Sequence, residues 1–412
     1  MPQAREDKLY LVMVGLPARG KSTIAARIKE NLSLSGVSVE IFNNGDLRRK
    51  LISGNTSFAE FYDPSNTKGY ELREKIARMN ISSAREFLNQ GGDVAILDAT
   101  NVSQKRRQLL CDLLSDHPLV FMECINTDRE ILEASISKKA SLPEFGHLTL
   151  QDSISSFKQR IAYYEHIYAP FSRERNTMRV DSLDNQILEV KLTDSIPFFD
   201  QIRDLIVTDS VKNLYLVRHG ETYDNIENRI GGDARLTPKG KEQADHLALH
   251  FKDTSLPYIF CSQKMRTIET SEPISHMQQD RSTLVMLKEF NEIDAGICEN
   301  MSYEEIQSDL PEVYQQRFQD KYNYIYPQGE GYVTMRPRID RGLKKALFLS
   351  GNADHIMIVG HRAVNRMILS HFLYRRIEDV PFIYVPQNQY YHIICTQQKK
   401  LFELKPIGLG PS

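Results

Sequence analysis

The chain of 412 residues is longer than one hydrophobic core normally organises, which sets an expectation of about two domains. Its 41% hydrophobic and 26% charged residues exclude the disordered and collagen-like classes. The formal charge of -2 excludes a globally basic surface for nucleic acid or anionic membrane, and five cysteines without paired spacing exclude a disulfide framework and a structural zinc site and point to the cytoplasm.

Residues 1–8 are polar with no apolar leader core, and no stretch approaches the roughly 18 apolar residues of a membrane span. Residues 9–14 form an apolar run that predicts a buried strand, and it stops at Gly15-Leu16-Pro17-Ala18-Arg19-Gly20-Lys21-Ser22. This is G-x-x-x-x-G-K-S in a strand-loop-helix context. In such a loop the glycines let backbone amides wrap phosphate oxygens, the helix N-terminus adds positive potential, Lys21 reaches the β/γ phosphates and Ser22 ligates Mg²⁺. A plain glycine turn is the competing reading. Residues 37–42 predict a second strand, followed by Arg48 and Arg49, a guanidinium pair suited to phosphate or an ordinary solvated turn.

From 69 to 89, Leu72, Ile76, Met79 and Phe87 recur at helical spacing and are expected in the core, with Gly91-Gly92 as the stop. Residues 93–101 give a strand ending at Asp98, the place for a Mg²⁺-organising carboxylate, an acceptor base or a helix cap. Residues 120–125 supply a fourth strand, so the first half reads as a parallel sheet with helices on both faces. Lys138, Lys139, Arg160 and Tyr164 fall in helical segments beyond it. Ile196, Phe198, Phe199, Ile202, Leu205 and Ile206 predict a helix packing back on this first domain, with the boundary near Thr208-Asp209-Ser210.

In the second half, residues 214–217 are apolar and end at Arg218-His219-Gly220-Glu221. Thr237-Pro238 predicts a helix start, with Ala244, Leu247, Ala248 and Phe251 on one face. Strands are expected at 258–261 and, as the last strand, at 356–359, which ends at Gly360-His361-Arg362. His219, Arg266 and His361 each follow an apolar run, and parallel strands would bring them to one sheet edge. A neutral, pre-aimed imidazole can attack phosphorus, arginines stabilise charge on the equatorial oxygens, and Glu292 is the candidate proton donor to the leaving oxygen. A lone histidine is more often structural; zinc is disfavoured because no cysteine or H-E-x-x-H spacing accompanies these.

The P-loop, Arg48-Arg49, Leu97-Asp98-Ala99-Thr100-Asn101 and Leu142-Pro143-Glu144-Phe145 resemble, in order and spacing, the kinase half of the 6-phosphofructo-2-kinase/fructose-2,6-bisphosphatase family. The segments Arg218-His219-Gly220-Glu221, Arg229-Ile230-Gly231-Gly232-Asp233, Asn291-Glu292-Ile293-Asp294-Ala295-Gly296 and Met301-Ser302-Tyr303-Glu304-Glu305-Ile306 resemble its histidine-phosphatase half. The resemblance covers nearly the whole chain. It implies an α/β protein of two domains: residues 1–208, a P-loop kinase with a parallel sheet, and residues 209–412, a phosphoglycerate mutase-like histidine phosphatase. The implied enzyme makes fructose 2,6-bisphosphate from fructose 6-phosphate and ATP and hydrolyses it through a phosphohistidine, and the family's kinase domains commonly pair as a homodimer.

Residue by residue, the resemblance assigns Gly15, Pro17, Ala18, Arg19, Gly20, Lys21, Ser22 and Thr23 to ATP, Ser22 and Asp98 to Mg²⁺, and Lys21, Asp98 and Lys139 to phosphoryl transfer. Arg48, Arg49, Arg73, Thr100, Arg106, Arg160 and Tyr164 would hold fructose 6-phosphate. His219 would accept the phosphoryl group with Glu292 as acid, surrounded by Arg218, Asn225, Gly232, Arg266 and His361. Tyr303, Arg317, Lys321, Tyr332, Arg362 and Arg366 would bind the remaining sugar and its 6-phosphate. The chain departs from the family at Gln104 and Thr127, in place of an arginine and an asparagine, which implies a slower kinase: a lost guanidinium contact costs about 1.5–3 kcal/mol. It also departs at Gly331, at Gln387-Asn388-Gln389 and at Arg362, in place of a glutamine; an added cation there would retain phosphate. Two further readings are a phosphatase with a vestigial kinase domain and an inactive nucleotide-binding regulator.

Overall fold

Residues 9–14 are apolar at every position, and in the computed structural model they form a strand, β1 (Leu9–Val14), buried along its whole length. The structure describes residues 7–52, 56, 58–280, 282–373 and 376–408; the polar start expected over residues 1–8 therefore lies largely outside the described residues. The fold divides into two units between Asp209 and Ser210.

In the first unit β1 is followed by α1 (Lys21–Leu34), β2 (Val39–Asn43), α2 (Asn44–Leu51), α3 (Thr67–Asn89) and β3 (Val94–Asp98). Then come α4 (Gln104–Leu113), β4 (Leu119–Ile125), α5 (Arg129–Ala140), α6 (Leu150–His166), β5 (Thr177–Asp181), β6 (Gln186–Lys191) and α7 (Phe199–Ile206). The sheet order is β2-β3-β1-β4-β5-β6. Alternate side chains of β1 enter opposite cores. Leu9, Leu11 and Met13 pack with Ile24, Ile28 and Leu32 of α1 and with Ile202, Leu205 and Ile206 of α7, as expected for a helix returning to this unit. Tyr10, Val12 and Val14 pack with Ile81, Ala84 and Leu88 of α3 and Leu110 of α4. Two buried faces explain the unbroken apolar run.

Three expectations need correction here. The sheet is not wholly parallel, because β6 pairs antiparallel with β5. This edge strand, Gln-Ile-Leu-Glu-Val-Lys, is largely exposed, so no burial pattern marked it in the sequence. Met79 is exposed rather than core, since the buried stripe of α3 runs through Ile76, Ala77, Asn80, Ile81, Ala84 and Leu88. Arg48 and Arg49 sit not in a turn but on α2, which Asn43 caps by accepting from the Gly45 and Asp46 amides.

The second unit contains β7 (Val211–Arg218), α8 (Tyr223–Ile226), α9 (Pro238–His250), β8 (Tyr258–Cys261), α10 (Met265–Met277) and β9 (Thr283–Met286). It continues with α11 (Tyr303–Asp309), α12 (Pro311–Gln319), α13 (Tyr332–Ser350), β10 (Ile356–Gly360), α14 (Arg362–Leu373), β11 (Gln389–Cys395) and β12 (Lys400–Pro406). The order is β12-β11-β7-β10-β8-β9. β7, β10, β8 and β9 run parallel, so the ends of β7, β8 and β10 reach one edge in register. The strand at 356–360 is not the last: β11 and β12 follow and pair antiparallel beside β7. Their half-exposed alternation gave a weaker signal than the buried runs of the parallel strands. α9 starts as expected, with Thr237 accepting from the Gly240 amide and Pro238 in the first position.

Candidate active sites

In the first unit the chain leaves β1 through Gly15 at φ 135°, where a Cβ would lie 2.5 Å from the Cys124 carbonyl oxygen, so only glycine passes. The Gly15 amide donates to the Thr100 carbonyl at 3.0 Å, tying the loop to the chain just past β3. Pro17, Ala18 and Arg19 continue the loop; Ala18 (φ 63°) and Gly20 (φ 79°) take left-handed backbone before Lys21, Ser22 and Thr23 open α1. Lys21 is 8% exposed and donates from Nζ to the Leu16 carbonyl at 2.7 Å. Burial lowers its pKa to about 8, against the pull of Asp98 and with Lys139 and Arg160 adding repulsion. Asp98 is buried at the end of β3 and accepts from Asn43 Nδ2 at 2.6 Å. A buried ammonium resting on a carbonyl, at a helix N-terminus, is stabilised by an incoming polyphosphate, so this loop fits a nucleotide.

Beside it the structure gathers guanidinium groups around one ring. The Arg160, Arg73 and Arg48 guanidiniums lie 4.0, 5.6 and 5.7 Å from the Tyr62 ring centroid, and the Tyr164 ring is 6.0 Å away. Arg48 also pairs with Glu144, which holds Arg49 at 3.4 Å, and Arg106 pairs with Glu74. Burial, then repulsion by Arg160, lowers the pKa of Arg48 to about 10. Arg48, Arg106 and Arg160 each bury an Nε without a hydrogen-bond partner. Crowded, underpaired cations form an anion site. Sequence reasoning missed Tyr62 as the organising ring, because its role depends on helices far apart in the chain. Gln104 and Thr127 are both exposed, at the start of α4 and just before α5. Among the described residues no cluster of three or more His, Cys, Asp or Glu side chains is found; Ser22 and Asp98 are oxygen-bearing residues that could hold a cation together with phosphate oxygens, ligands of the kind Mg²⁺ accepts.

In the second unit Arg218 ends β7 and His219 follows it, 4% exposed. Gly220 lies so close to α9 that a Cβ would meet the Gly240 carbonyl oxygen at 2.5 Å. His219 Nδ1 is 2.7 Å from the Gly220 carbonyl oxygen. A carbonyl only accepts, so Nδ1 carries the proton and Nε2 keeps its lone pair. Burial and the charges of Arg266 and Arg218 hold the His219 pKa well below its usual value, so the ring is neutral at physiological pH.

A cavity of about 320 Å³ opens beside it, lined by Arg218, His219, Asn225, Arg266 and Glu292 together with Tyr303, Arg317, Lys321, Tyr332, Arg362 and Arg366. Arg317 donates to Tyr303 Oη at 3.4 Å and Arg366 to Tyr332 Oη at 3.0 Å. Burial and the neighbouring Arg317, Arg366 and Arg362 lower the Lys321 pKa to about 8; burial with Arg362 lowers that of Arg218 to about 9. The wall also holds Gln387, whose Nε2 donates to Asn225 Oδ1 at 2.9 Å and the His219 carbonyl at 3.2 Å.

Two of the expected residues do not line the cavity. His361 is fully buried behind it, its ring centroid 5.3 Å from that of His219. Arg266 Nε donates to His361 Nδ1 at 3.2 Å, so Nε2 carries the proton and donates to Ser262 Oγ at 2.8 Å. Gly232 accepts from Arg266 Nη1 at 2.9 Å. Both therefore orient Arg266. Ser262 was missed because nothing in its local sequence marks the contact.

The arrangement predicts a consequence for Arg362, an exposed cation on the cavity wall. Arg362→Gln is expected to weaken inhibition by inorganic phosphate about two- to fivefold, the scale of a solvent-screened charge. Product-inhibition kinetics check this, and an unchanged inhibition constant refutes it.

The 6-phosphofructo-2-kinase family model matches residues 1–209, and the histidine phosphatase superfamily (branch 1) model matches residues 214–405. Among curated proteins, 6-phosphofructo-2-kinase/fructose-2,6-bisphosphatase 4 of Rattus norvegicus is 33% identical over 386 residues, covering 91% of this chain and 80% of that protein. The Homo sapiens protein of the same name is 33% identical over 394 residues with the same coverages. 6-phosphofructo-2-kinase/fructose-2,6-bisphosphatase 1 of Rattus norvegicus is 30% identical over 396 residues, covering 94% of this chain and 82% of that protein.

Proposed function

Because the chain belongs to the bifunctional 6-phosphofructo-2-kinase/fructose-2,6-bisphosphatase family, we propose that its two anion sites catalyse the synthesis and the hydrolysis of fructose 2,6-bisphosphate. The observation that carries this reading is the orientation of His219: a neutral imidazole whose Nδ1 is occupied by a carbonyl, beside a cavity lined by Arg218, Arg266, Arg317, Lys321, Arg362 and Arg366.

In hydrolysis, Arg317, Lys321 and Arg366 take the 6-phosphate and hold the 2-phosphate against Arg218 and Arg266. His219 Nε2 attacks phosphorus, the bond to the C2 oxygen breaks, and Glu292 gives that oxygen a proton. Glu292 then takes a proton from water, whose oxygen displaces His219 and releases inorganic phosphate. The arginines remain paired with the equatorial oxygens throughout, so little reorganisation accompanies the charge shift.

In synthesis, the P-loop amides and Lys21 receive the ATP phosphates, Lys139 covers the transferring group, and the arginines around Tyr62 orient fructose 6-phosphate. Ser22 and Asp98 would hold Mg²⁺, which supplies charge neutralisation between phosphates when bound. Among the described residues no helix is long and apolar enough to cross a membrane, and a cytoplasmic setting matches these substrates.

Incubation with fructose 6-phosphate and MgATP, and separately with fructose 2,6-bisphosphate, tests the proposal. Conversion in both directions supports it, and no turnover in either overturns it.

The lowered pKa of Lys21 gives a second check. Phosphate oxygens around the ammonium favour its charged form, so ATP binding moves the pKa from about 8 toward the ordinary lysine value. Between those values binding takes up about one proton. Calorimetry at pH 9 in two buffers of different ionisation enthalpy is expected to show that uptake, and its absence would remove Lys21 from the phosphate site.

A further inference from the structure

Glu292 sits on irregular chain that follows a single 3-10 turn, Lys288–Phe290, so its position must be imposed by neighbours. The neighbour is Arg338 on α13. Its Nη1 donates to the carbonyls of Glu289 at 2.6 Å and Asn291 at 2.8 Å, and its Nη2 to that of Glu292 at 3.3 Å. The remaining donors, Nε and Nη2, bind the two oxygens of Glu330 at 2.8 and 2.6 Å. All five guanidinium N–H groups thus have acceptors, three of them on the chain that carries Glu292. Glu330 closes the clamp from the other side: its carboxylate accepts from the Asp294 amide at 3.2 Å, and its own amide donates to the Asp294 carbonyl at 2.8 Å. Further along α13, buried Lys345 donates to the Glu289 carboxylate at 2.6 Å. The Asn291 side chain accepts from the Gln263 amide at 2.9 Å, joining this loop to the segment whose Ser262 holds His361.

We infer that Arg338, clamped by Glu330, is a positioning residue for the phosphatase reaction: it sets the Glu292 carboxyl against the leaving oxygen by holding the loop's carbonyls, without lining the cavity. The inference rests on the reading of Glu292 as the acid. A displacement of about 1 Å in such a group can cost about 10²-fold. Lysine at 338 keeps the charge but loses the fork that spans three carbonyls and a carboxylate.

The test uses the full chain with Arg338→Lys, Glu330→Gln, Glu292→Gln and the double variant Arg338→Lys/Glu292→Gln. For each, the single-turnover rate of His219 phosphorylation, a step that precedes any use of Glu292 as base toward water, is measured with fructose 2,6-bisphosphate, whose alkoxide needs a proton to leave, and with 2,4-dinitrophenyl phosphate, whose phenolate does not. Arg338→Lys is expected to lower the phosphorylation rate from the sugar ester about 10- to 100-fold, with substrate affinity and the phosphorylation rate from the nitrophenyl ester within about twofold. Glu330→Gln is expected to do the same more weakly, and the double variant to be no slower than Glu292→Gln alone. Equal losses of Arg338→Lys on both esters, or losses that multiply in the double variant, overturn the inference and leave Glu292 as the acid. If Glu292→Gln itself loses both esters equally, the acid assignment fails and the inference falls with it. Kinase activity and the unfolding midpoint of each preparation show that the variants are folded, and Glu330→Gln keeps the test decisive should Arg338→Lys not fold.

Discussion

His219→Ala is expected to lower fructose 2,6-bisphosphate hydrolysis by at least about 10³-fold, because loss of a nucleophile removes the covalent path and leaves only electrostatic assistance to water. The cations that line the cavity do not depend on the imidazole, so KM is expected to change little. Substrate labelled in its 2-phosphate marks wild-type enzyme with acid-labile, base-stable label, and His219→Ala with none. The pH profile adds a separate check. Burial and two arginines hold His219 neutral well below its ordinary pKa. No loss of kcat/KM is therefore expected as pH falls through 6.5 from this group, whereas an unshifted nucleophilic histidine would lose activity there. Substantial hydrolysis by His219→Ala would exclude the phosphohistidine path.

Lys21→Met is expected to lower the synthetic rate about 10²- to 10³-fold, the range for removing one group aimed at developing charge, while hydrolysis is retained. Methionine keeps the apolar stem and deletes the ammonium. The ammonium is buried on the Leu16 carbonyl at a cost reflected in its lowered pKa, so the ligand-free variant is expected to unfold no earlier than wild type. Stabilisation by ATP, by contrast, should shrink. Thermal unfolding with and without MgATP, together with coupled kinase assays, separates the two effects. A variant that loses hydrolysis as well would point to a global defect instead of a lost phosphate contact.

The pair of variants also distinguishes a two-activity enzyme from a phosphatase carrying an idle kinase fold. Whatever the side chain at Gln104 costs, Arg48, Arg73 and Arg160 surround Tyr62, a dense group of cations suited to a phosphate. Measurable synthesis by wild type and its loss in Lys21→Met is the result that the proposed function requires.

Much of the fold was legible because its strongest signals are local. A parallel strand covered on both faces must be apolar at every position, and residues 9–14, 214–217 and 356–359 announced themselves in that way. The P-loop was legible because eight contiguous residues carry its chemistry. β6, β11 and β12 were not, since an exposed edge strand needs no apolar run, and Met79 was misassigned because spacing alone does not say which side of α3 faces the sheet.

The amino-acid sequence by itself determined which side chains arrive at the sheet edges: Lys21 and Asp98 in one unit, Arg218, His219 and His361 in the other. Parallel pairing turns that placement into proximity, because strand ends in register share an edge. Only the tertiary structure decided what each group does once there. The His219 tautomer follows from a carbonyl 2.7 Å away, His361 turns its two nitrogens to Arg266 and Ser262, and three distant arginines meet on Tyr62. The first depends on the rotamer of His219 and the others on packing between elements tens of residues apart, information that neither motif spacing nor hydrophobic period carries.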